Sequence, residues 1–317
     1  MWLAWPHNPD TWPGQLEAAR AEFVGILREL LAAESVELVV PDAASEDDVR
    51  GRLAGDATGA LRFHRLPSDD SWLRDTAPIF VEDEAGAPLA LDFDFDAWGG
   101  KYPPWEHDAA LGACIAAAAG VACRRPGFVL EGGSVEGDGA GTVLTTESCL
   151  LHPNRESPPR SREQMEARLE RWLGARRVVW LEEGIAGDDT DGHVDDLCRF
   201  VAPGVVVAAR ADSGPDAPVL AAHRARLLEA GLEVHDLPMP PARSGPAQPA
   251  SYANFLLANG LALVPVFDTE SDARALDLLR DLLPGRRVVG LPCRALVSGL
   301  GAIHCLSQQE PALGASV

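Results

Sequence analysis

Long apolar runs, basic residues and paired cysteines are what this sequence has least of. No uninterrupted apolar stretch approaches the 20 or so residues needed to span a bilayer, so the 317-residue chain reads as globular, with no membrane partner. Its opening, Met1-Trp2-Leu3-Ala4-Trp5-Pro6, lacks the basic segment and long apolar stretch of a secretory signal, and a cytoplasmic location is expected. Lys and Arg number 27 against 48 Asp and Glu, a net charge of −21. Nothing resembles a basic stripe able to displace counterions from phosphates, which excludes nucleic acid as a partner. The acidic surplus would concentrate a small cation near the surface, although solubility alone also accounts for it. The six cysteines (Cys114, Cys123, Cys149, Cys198, Cys293, Cys305) form no CxxC pair. Free thiols are expected, and no metal site is indicated. Most should be small apolar core residues, so a functional cysteine has to be recognised by its surroundings.

What is present is alternation. Helical periodicity runs over Gly14–Ala32, Asp108–Ala119, Ser161–Leu173, Ala217–Ala230 and Glu270–Leu283, with a short charged helix at Ser45–Leu53. The last four long helices begin roughly 55 residues apart, a spacing that suggests a repeated structural unit. Between the helices lie β-rich runs: Val36–Val40, Thr142–Thr145, Arg177–Trp180, Val205–Ala208, Leu261–Val266 and Val288–Leu291. The class is α/β. The Pro/Gly/Ser-rich stretch Pro238–Pro249 reads as a surface loop, and a single domain over residues 1–317 is expected.

Four segments gather glycines with titratable residues. Asp69–Pro78 places acids just before a strand at Ile79–Val81; taken alone, it reads as a solvated turn with an Arg74–Asp ion pair. Leu130–Ser134 ends an apolar run on Glu131 and follows it with Gly132 and Gly133, a tight turn or a close approach of backbone to a ligand. Gly187–Asp196 holds His193 two residues before Asp195. If this stretch is extended, both side chains share a face, as a general acid/base beside a charge partner would. A calcium loop is the competing reading, but the spacing fails the EF-hand pattern and lacks its closing Glu. Finally, Gly299–Gln309 sets His304 and Cys305 after two glycines. Cys305 is either a buried structural thiol or a nucleophile served by the His193 segment.

Together these segments resemble the agmatine deiminases of the guanidino-group-modifying superfamily, nearly end to end. The resemblance is carried by Ala4–Asp10, Asp70–Thr76, Ala97–Pro104, Glu131–Ser134, Leu144–Leu151, Asp188–Asp195, Ser251–Phe255 and Ile303–Cys305. The chain departs from the pattern at Ala77, where the family has Gly, and at Leu300 and Ala302, where it has Gly and Asn. It also begins later than family members, which carry a short acidic and aromatic segment before Ala4-Trp5-Pro6.

The resemblance implies a five-fold pseudosymmetric α/β propeller of ββαβ modules around a central channel. It implies that Cys305 attacks a guanidinium carbon, that His193 is the general acid/base held by Glu131, and that Asp75 and Asp195 grip the guanidinium. Asp189, Trp72 and Trp98 are candidate contacts to the remainder of the substrate, with Tyr102 beside them. Two carboxylates suit the N–H fork of a guanidinium, and an acidic site favours agmatine, cationic at both ends. Neither metal nor organic cofactor is implied. The thiol has to reach its thiolate form beside a cation, either His193 or the substrate. A related guanidino-substrate deiminase, peptidyl-arginine included, is the competing enzyme reading. A non-catalytic guanidino or polyamine binder is the competing reading from another class. A homo-oligomer is compatible with all three.

Overall fold

A computed structural model describes residues 1–241 and 245–311. They fall into two compact units: Met1–Gly132 together with the segment from Cys305 onward, and Gly133–His304. The first unit begins with β1 (Trp2–Ala4), α1 (Leu16–Leu31), β2 (Val36–Val40), α2 (Ala43–Arg52) and β3 (Leu61–Arg65). It continues through α3 (Leu73–Thr76), β4 (Ile79–Glu82), β5 (Pro88–Leu91), α4 (Ala97–Gly100), α5 (Glu106–Ala119) and β6 (Ala122–Arg124). The second unit holds β7 (Val135–Gly137), β8 (Thr142–Thr146), α6 (Glu147–Leu150), α7 (Arg162–Leu173) and β9 (Arg177–Leu181). Next come β10 (Cys198–Ala202), β11 (Val205–Arg210), α8 (Ala217–Glu229), β12 (Glu233–Pro238), β13 (Leu256–Ala258), β14 (Leu261–Val266), α9 (Ser271–Leu282) and β15 (Arg287–Pro292). The chain then returns to the first unit with β16 (Ser307–Gln308).

These strands make five small sheets with one wiring. In four of them a hairpin of two antiparallel strands is followed by a helix and a third strand parallel to the second: β4-β5-β6, β7-β8-β9, β10-β11-β12 and β13-β14-β15. The fifth sheet runs β16-β1-β2-β3. Here β16 supplies the antiparallel neighbour of β1, while β1 and β2 are parallel across α1. Each sheet therefore contains the ββαβ unit that the family resemblance implies, and the fifth is assembled from both ends of the chain. The helices α5, α7, α8 and α9 start at residues 106, 162, 217 and 271, close to the spacing read from sequence.

The central strands form where apolar residues run on without alternation. Val206, Val207 and Ala208 of β11 are buried, as are Leu261 to Val264 of β14, because a strand with neighbours on both sides and helices over its face meets no water. Helix ends follow the capping chemistry. Ser161 accepts from the Gln164 amide while Gln164 reaches back to the Ser161 amide, closing a capping box on α7, and Gly174 ends that helix in a left-handed conformation. The start of α5 lies at Glu106, two residues earlier than periodicity indicates, with Glu106 and Asp108 in the positively polarised first turn. The strands β3, β5, β6, β7, β10, β12, β13 and β16 are not visible in the pattern. The residues of β6, Ala-Cys-Arg, are exposed, and only pairing with β5 makes them a strand.

In the first unit, Trp2, Ala4, Val39, Leu73, Leu111 and Ile115 share one core cluster. It fixes the single turn α3 through Leu73, a burial that contributes about 2 kcal/mol. In the second unit, Leu144, Leu181, Val194, Leu197, Val206, Leu220 and Leu227 form the core, which anchors the segment after His193 through Val194 and Leu197. Residues 239–241 and 245–249 of the expected Pro-rich loop carry neither helix nor strand, and residues 242–244 lie outside the described residues. No helix among the described residues is long and apolar enough to cross a membrane.

Candidate active site

In the first unit, α3 carries Asp75. Ser71 through Asp75 are buried, so the segment is not the solvated turn that its composition suggests. Trp98 donates its indole N–H to Asp75 Oδ2 at 3.0 Å. The indole arrives there on a left-handed backbone, with φ of 56° at Ala97, 56° at Trp98, 88° at Gly99 and 78° at Gly100. The Asp96 carboxylate holds this turn by accepting from the Gly99 amide at 2.7 Å. Left-handed backbone costs a residue with a Cβ roughly 1 kcal/mol, so Ala97 and Trp98 are held by their surroundings. Phe95 and Tyr102 stand edge-on to the Trp98 ring, with centroids at 5.2 and 5.8 Å; Tyr102 itself is 47% exposed.

Residues 305–308 are laced to the same helix. The Arg74 amide donates to the Cys305 carbonyl at 3.0 Å. Arg74 Nη1 donates to Gln308 Oε1 at 2.6 Å, and Gln308 Nε2 donates to the Pro78 carbonyl at 3.1 Å. Cys305 is thus delivered by β16 to the backbone of the turn bearing Asp75, with 8% of its surface exposed. Glu131 is fully buried, and the glycine after it is required by space: a Cβ on Gly132 would lie 2.1 Å from the Arg74 carbonyl oxygen. The Trp72 ring lies 5.4 Å from that of Trp12, and its side chain is hydrogen-bonded to Asp70. Burial pushes the Asp70 carboxyl up to about 6. It pushes Asp108, which accepts from the amides of Asp69 and Asp70, up to about 8.

The second unit holds the other candidates. His193 is extended, but Val194–Asp196 is a 3-10 turn, so His193 and Asp195 do not share a strand face as the spacing allowed. Local caps set the geometry instead. Asp188 accepts from the Thr190 amide and hydroxyl through Oδ1 and from the His193 amide through Oδ2. Asp191 and Gly192 are left-handed, with φ of 70° and 106°, and a Cβ at residue 192 would meet Ser148 Oγ at 2.5 Å. The Asp191 carboxylate receives Arg155 and Asn154. These commitments of Asp188 and Asp191 count against a calcium loop, since both carboxylates serve the protein's own donors. Asp189 is half-buried between them.

Asp195 is fully buried, and its Oδ2 lies 2.6 Å from His304 Nδ1. Its neighbour Asp196 is held well above the usual carboxylate range by burial and by the Asp195 charge. One residue near His193 escaped the reading of the sequence. The Cys149 sulfur and a His193 ring nitrogen lie within 4.8 Å of each other, and Arg155 Nη2 approaches that sulfur at 4.0 Å. The helix α6, capped by Thr146, places Cys149 there, and the Thr146 hydroxyl also donates to the Gly192 carbonyl. The departure at residue 300 falls on a left-handed residue, Leu300 with φ of 71°, where glycine costs nothing. Ala302 is buried.

The first unit thus holds buried Cys305, Glu131 and Asp75, and the second holds buried His193 and Asp195. The chain belongs to the family of Porphyromonas-type peptidyl-arginine deiminases, whose model matches residues 1–311. Several of its relatives are agmatine deiminases, while a solved structure 38% identical is named a putative arginine deiminase from Porphyromonas gingivalis. The agmatine deiminase of Ectopseudomonas mendocina is 39% identical, over 98% of this chain and 92% of its own length. The solved structure of the Enterococcus faecalis agmatine deiminase is 32% identical, with a TM-score of 0.91 over 98% of this chain and 92% of that one. A cysteine-to-serine variant of C. jejuni agmatine deiminase with substrate bound is 26% identical, with a TM-score of 0.88 over 96% and 91% of the two chains.

Proposed function

We propose that this chain is one catalytic domain that hydrolyses agmatine to N-carbamoylputrescine and ammonia. The observation that carries the reading is the full-length likeness to agmatine deiminases, 39% identical over 98% of the chain, with Cys305, His193, Glu131, Asp75 and Asp195 all in place. A guanidinium is a delocalised cation and a poor electrophile. Asp75 and Asp195 pair with its N–H groups and localise the charge; the Trp98 N–H on Asp75 Oδ2 keeps that carboxylate oriented. The Cys305 thiolate adds to the central carbon and forms a C–S bond. His193, oriented by Glu131, gives its proton to a departing nitrogen; the C–N bond breaks, and ammonia leaves an S-alkylthiouronium. The neutral imidazole then takes a proton from water as its oxygen adds to the same carbon. Breaking the C–S bond restores the thiolate, and the ureido product leaves as the adduct's hydroxyl proton passes to solvent.

Trp72, Trp98 and Asp189 are assigned to the rest of the substrate. The two rings would lie along the aliphatic stem or face the distal ammonium, and Asp189 would supply charge to the same end. An acidic protein surrounds such a dication with favourable potential. Ammonia release is to be measured with agmatine, free arginine and a peptide ending in arginine. Release from agmatine well above the other two supports the proposal. Preference for the peptide or the amino acid replaces the substrate, and release from none, with binding retained, makes the protein a binder. A Cys305→Ser variant that turns over at the normal rate would sink the mechanism.

A further inference from the structure

His304 and Asp195 are 109 residues apart in sequence and meet at 2.6 Å through Nδ1 and Oδ2. Both side chains are buried. A carboxylate only accepts, so Nδ1 carries the proton and donates, at the short end of the charge-assisted range. The His304 backbone is tied to the same turn by a second route. Its amide faces Asn254 Oδ1 at 3.0 Å and the Asn254 carbonyl at 3.2 Å. Asn254 Nδ2 in turn donates to Asp196 Oδ1 at 3.0 Å. Two parallel threads therefore join residues 195–196 to residue 304: side chain to side chain at Asp195, and through Asn254 at Asp196. Asp196, Asn254, Asp195 and His304 are all at least nine-tenths buried, which leaves the pair little room to turn.

We infer that His304 is a positioning residue for deimination: its Nδ1–H fixes the plane of the Asp195 carboxylate, so that Asp195 meets the guanidinium in one orientation. The inference rests on the reading that Asp195 grips the guanidinium. It assigns His304 no proton transfer, which belongs to His193. Because His304 directly precedes Cys305, the amide contacts to Asn254 also set the backbone from which the nucleophile leaves.

The test compares His304→Asn, whose amide N–H stands where Nδ1 stood, with His304→Gln, whose amide reaches past it. Steady-state kinetics with agmatine should find His304→Asn within about threefold of wild-type kcat/KM and His304→Gln down by roughly tenfold to a hundredfold. In an Asp195→Asn background the His304→Gln change should add nothing further. Equal losses in the Asn and Gln variants, or losses that multiply in the double variant, overturn the inference alone. Full turnover by Asp195→Asn overturns the guanidinium-clamp reading, and the inference with it. A second measurement does not depend on either His304 variant folding. The wild-type protein should show a strongly downfield Nδ1 proton by NMR that moves upfield in Asp195→Asn, and its absence from the wild type refutes the short contact.

Discussion

Replacing Gly132 with alanine isolates a steric requirement from a conformational one. The residue has no left-handed backbone to defend, and only space forbids a side chain, because the added Cβ would lie 2.1 Å from the Arg74 carbonyl oxygen and 3.2 Å from Arg74 Cδ. The Arg74 side chain can move, but its carbonyl cannot rotate away while the neighbouring amides hold α3. Backbone must part by roughly an ångström, and strain of that kind costs about 2–3 kcal/mol. Alanine's smaller unfolded-state entropy returns about 0.5 kcal/mol, so a net loss near 2 kcal/mol is expected. At roughly 2 °C per kcal/mol for a chain of this size, the midpoint should fall by about 4 °C in a thermal scan followed by circular dichroism. Activity should fall further than stability. Arg74 precedes Asp75, and with Asp75 gripping the substrate as proposed, a displacement of about an ångström in that carboxylate costs up to a hundredfold in kcat/KM. The control is Gly59→Ala, where nothing lies within 4 Å of the new Cβ and neutrality or a slight gain is expected. If the two variants melt and turn over alike, the crowding between residues 74 and 132 does not exist.

Three further outcomes are expected. Trp98→Phe keeps the ring contacts to Phe95 and Tyr102 but removes the N–H donated to Asp75, a charge-assisted bond worth about 1.5–3 kcal/mol. The value of kcat/KM for agmatine should drop roughly tenfold to a hundredfold with little change in melting temperature, and an unchanged value would count against Asp75 as a substrate clamp. His223 is buried in α8, neither ring nitrogen has a protein hydrogen-bond partner among the described residues, and burial lowers it to about 4. The unfolded chain takes up a proton below about 6.5 while the folded one does not, so stability falls as pH drops through that window; His223→Met should flatten the fall, as read by urea midpoints at pH 7 and 4.5. Asp108 behaves in the opposite sense: with its carboxyl pushed up to about 8, its contribution is full near pH 4 and lost as pH rises to 8. Asp108→Asn should make the midpoint less sensitive to alkali, and an equal slope in both proteins would refute the assignment.

The sequence makes legible those parts of the molecule that local rules govern. Residues 161–174 announce a helix by capping box, periodicity and terminal glycine, and Leu261–Val266 was readable as a strand because a buried central strand is apolar throughout. By contrast, β6 is three exposed residues whose structure depends on a partner more than thirty positions earlier. The motifs also single out Cys305, His193, Glu131, Asp75 and Asp195 as candidates without revealing what surrounds them. The conditional shared face of His193 and Asp195 does not form, because Asp188 caps His193 and Gly192 presses against Ser148, and neither fact shows in a His-x-Asp spacing. Cys149 and His304 carried no signal in their residue types. Each becomes conspicuous only through a neighbour 44 or 109 residues away.

The pairing of β1 with β16 has a consequence for how the protein is made. Trp2 sits opposite Gln308, so this ladder closes a loop of about 300 residues, and joining such distant segments is among the slowest steps a chain undertakes. The other four sheets close within short stretches and need not wait. Residues 305–308 therefore depend, for their place beside α3, on a strand more than three hundred positions away, whereas each of the other sheets needs only its own stretch.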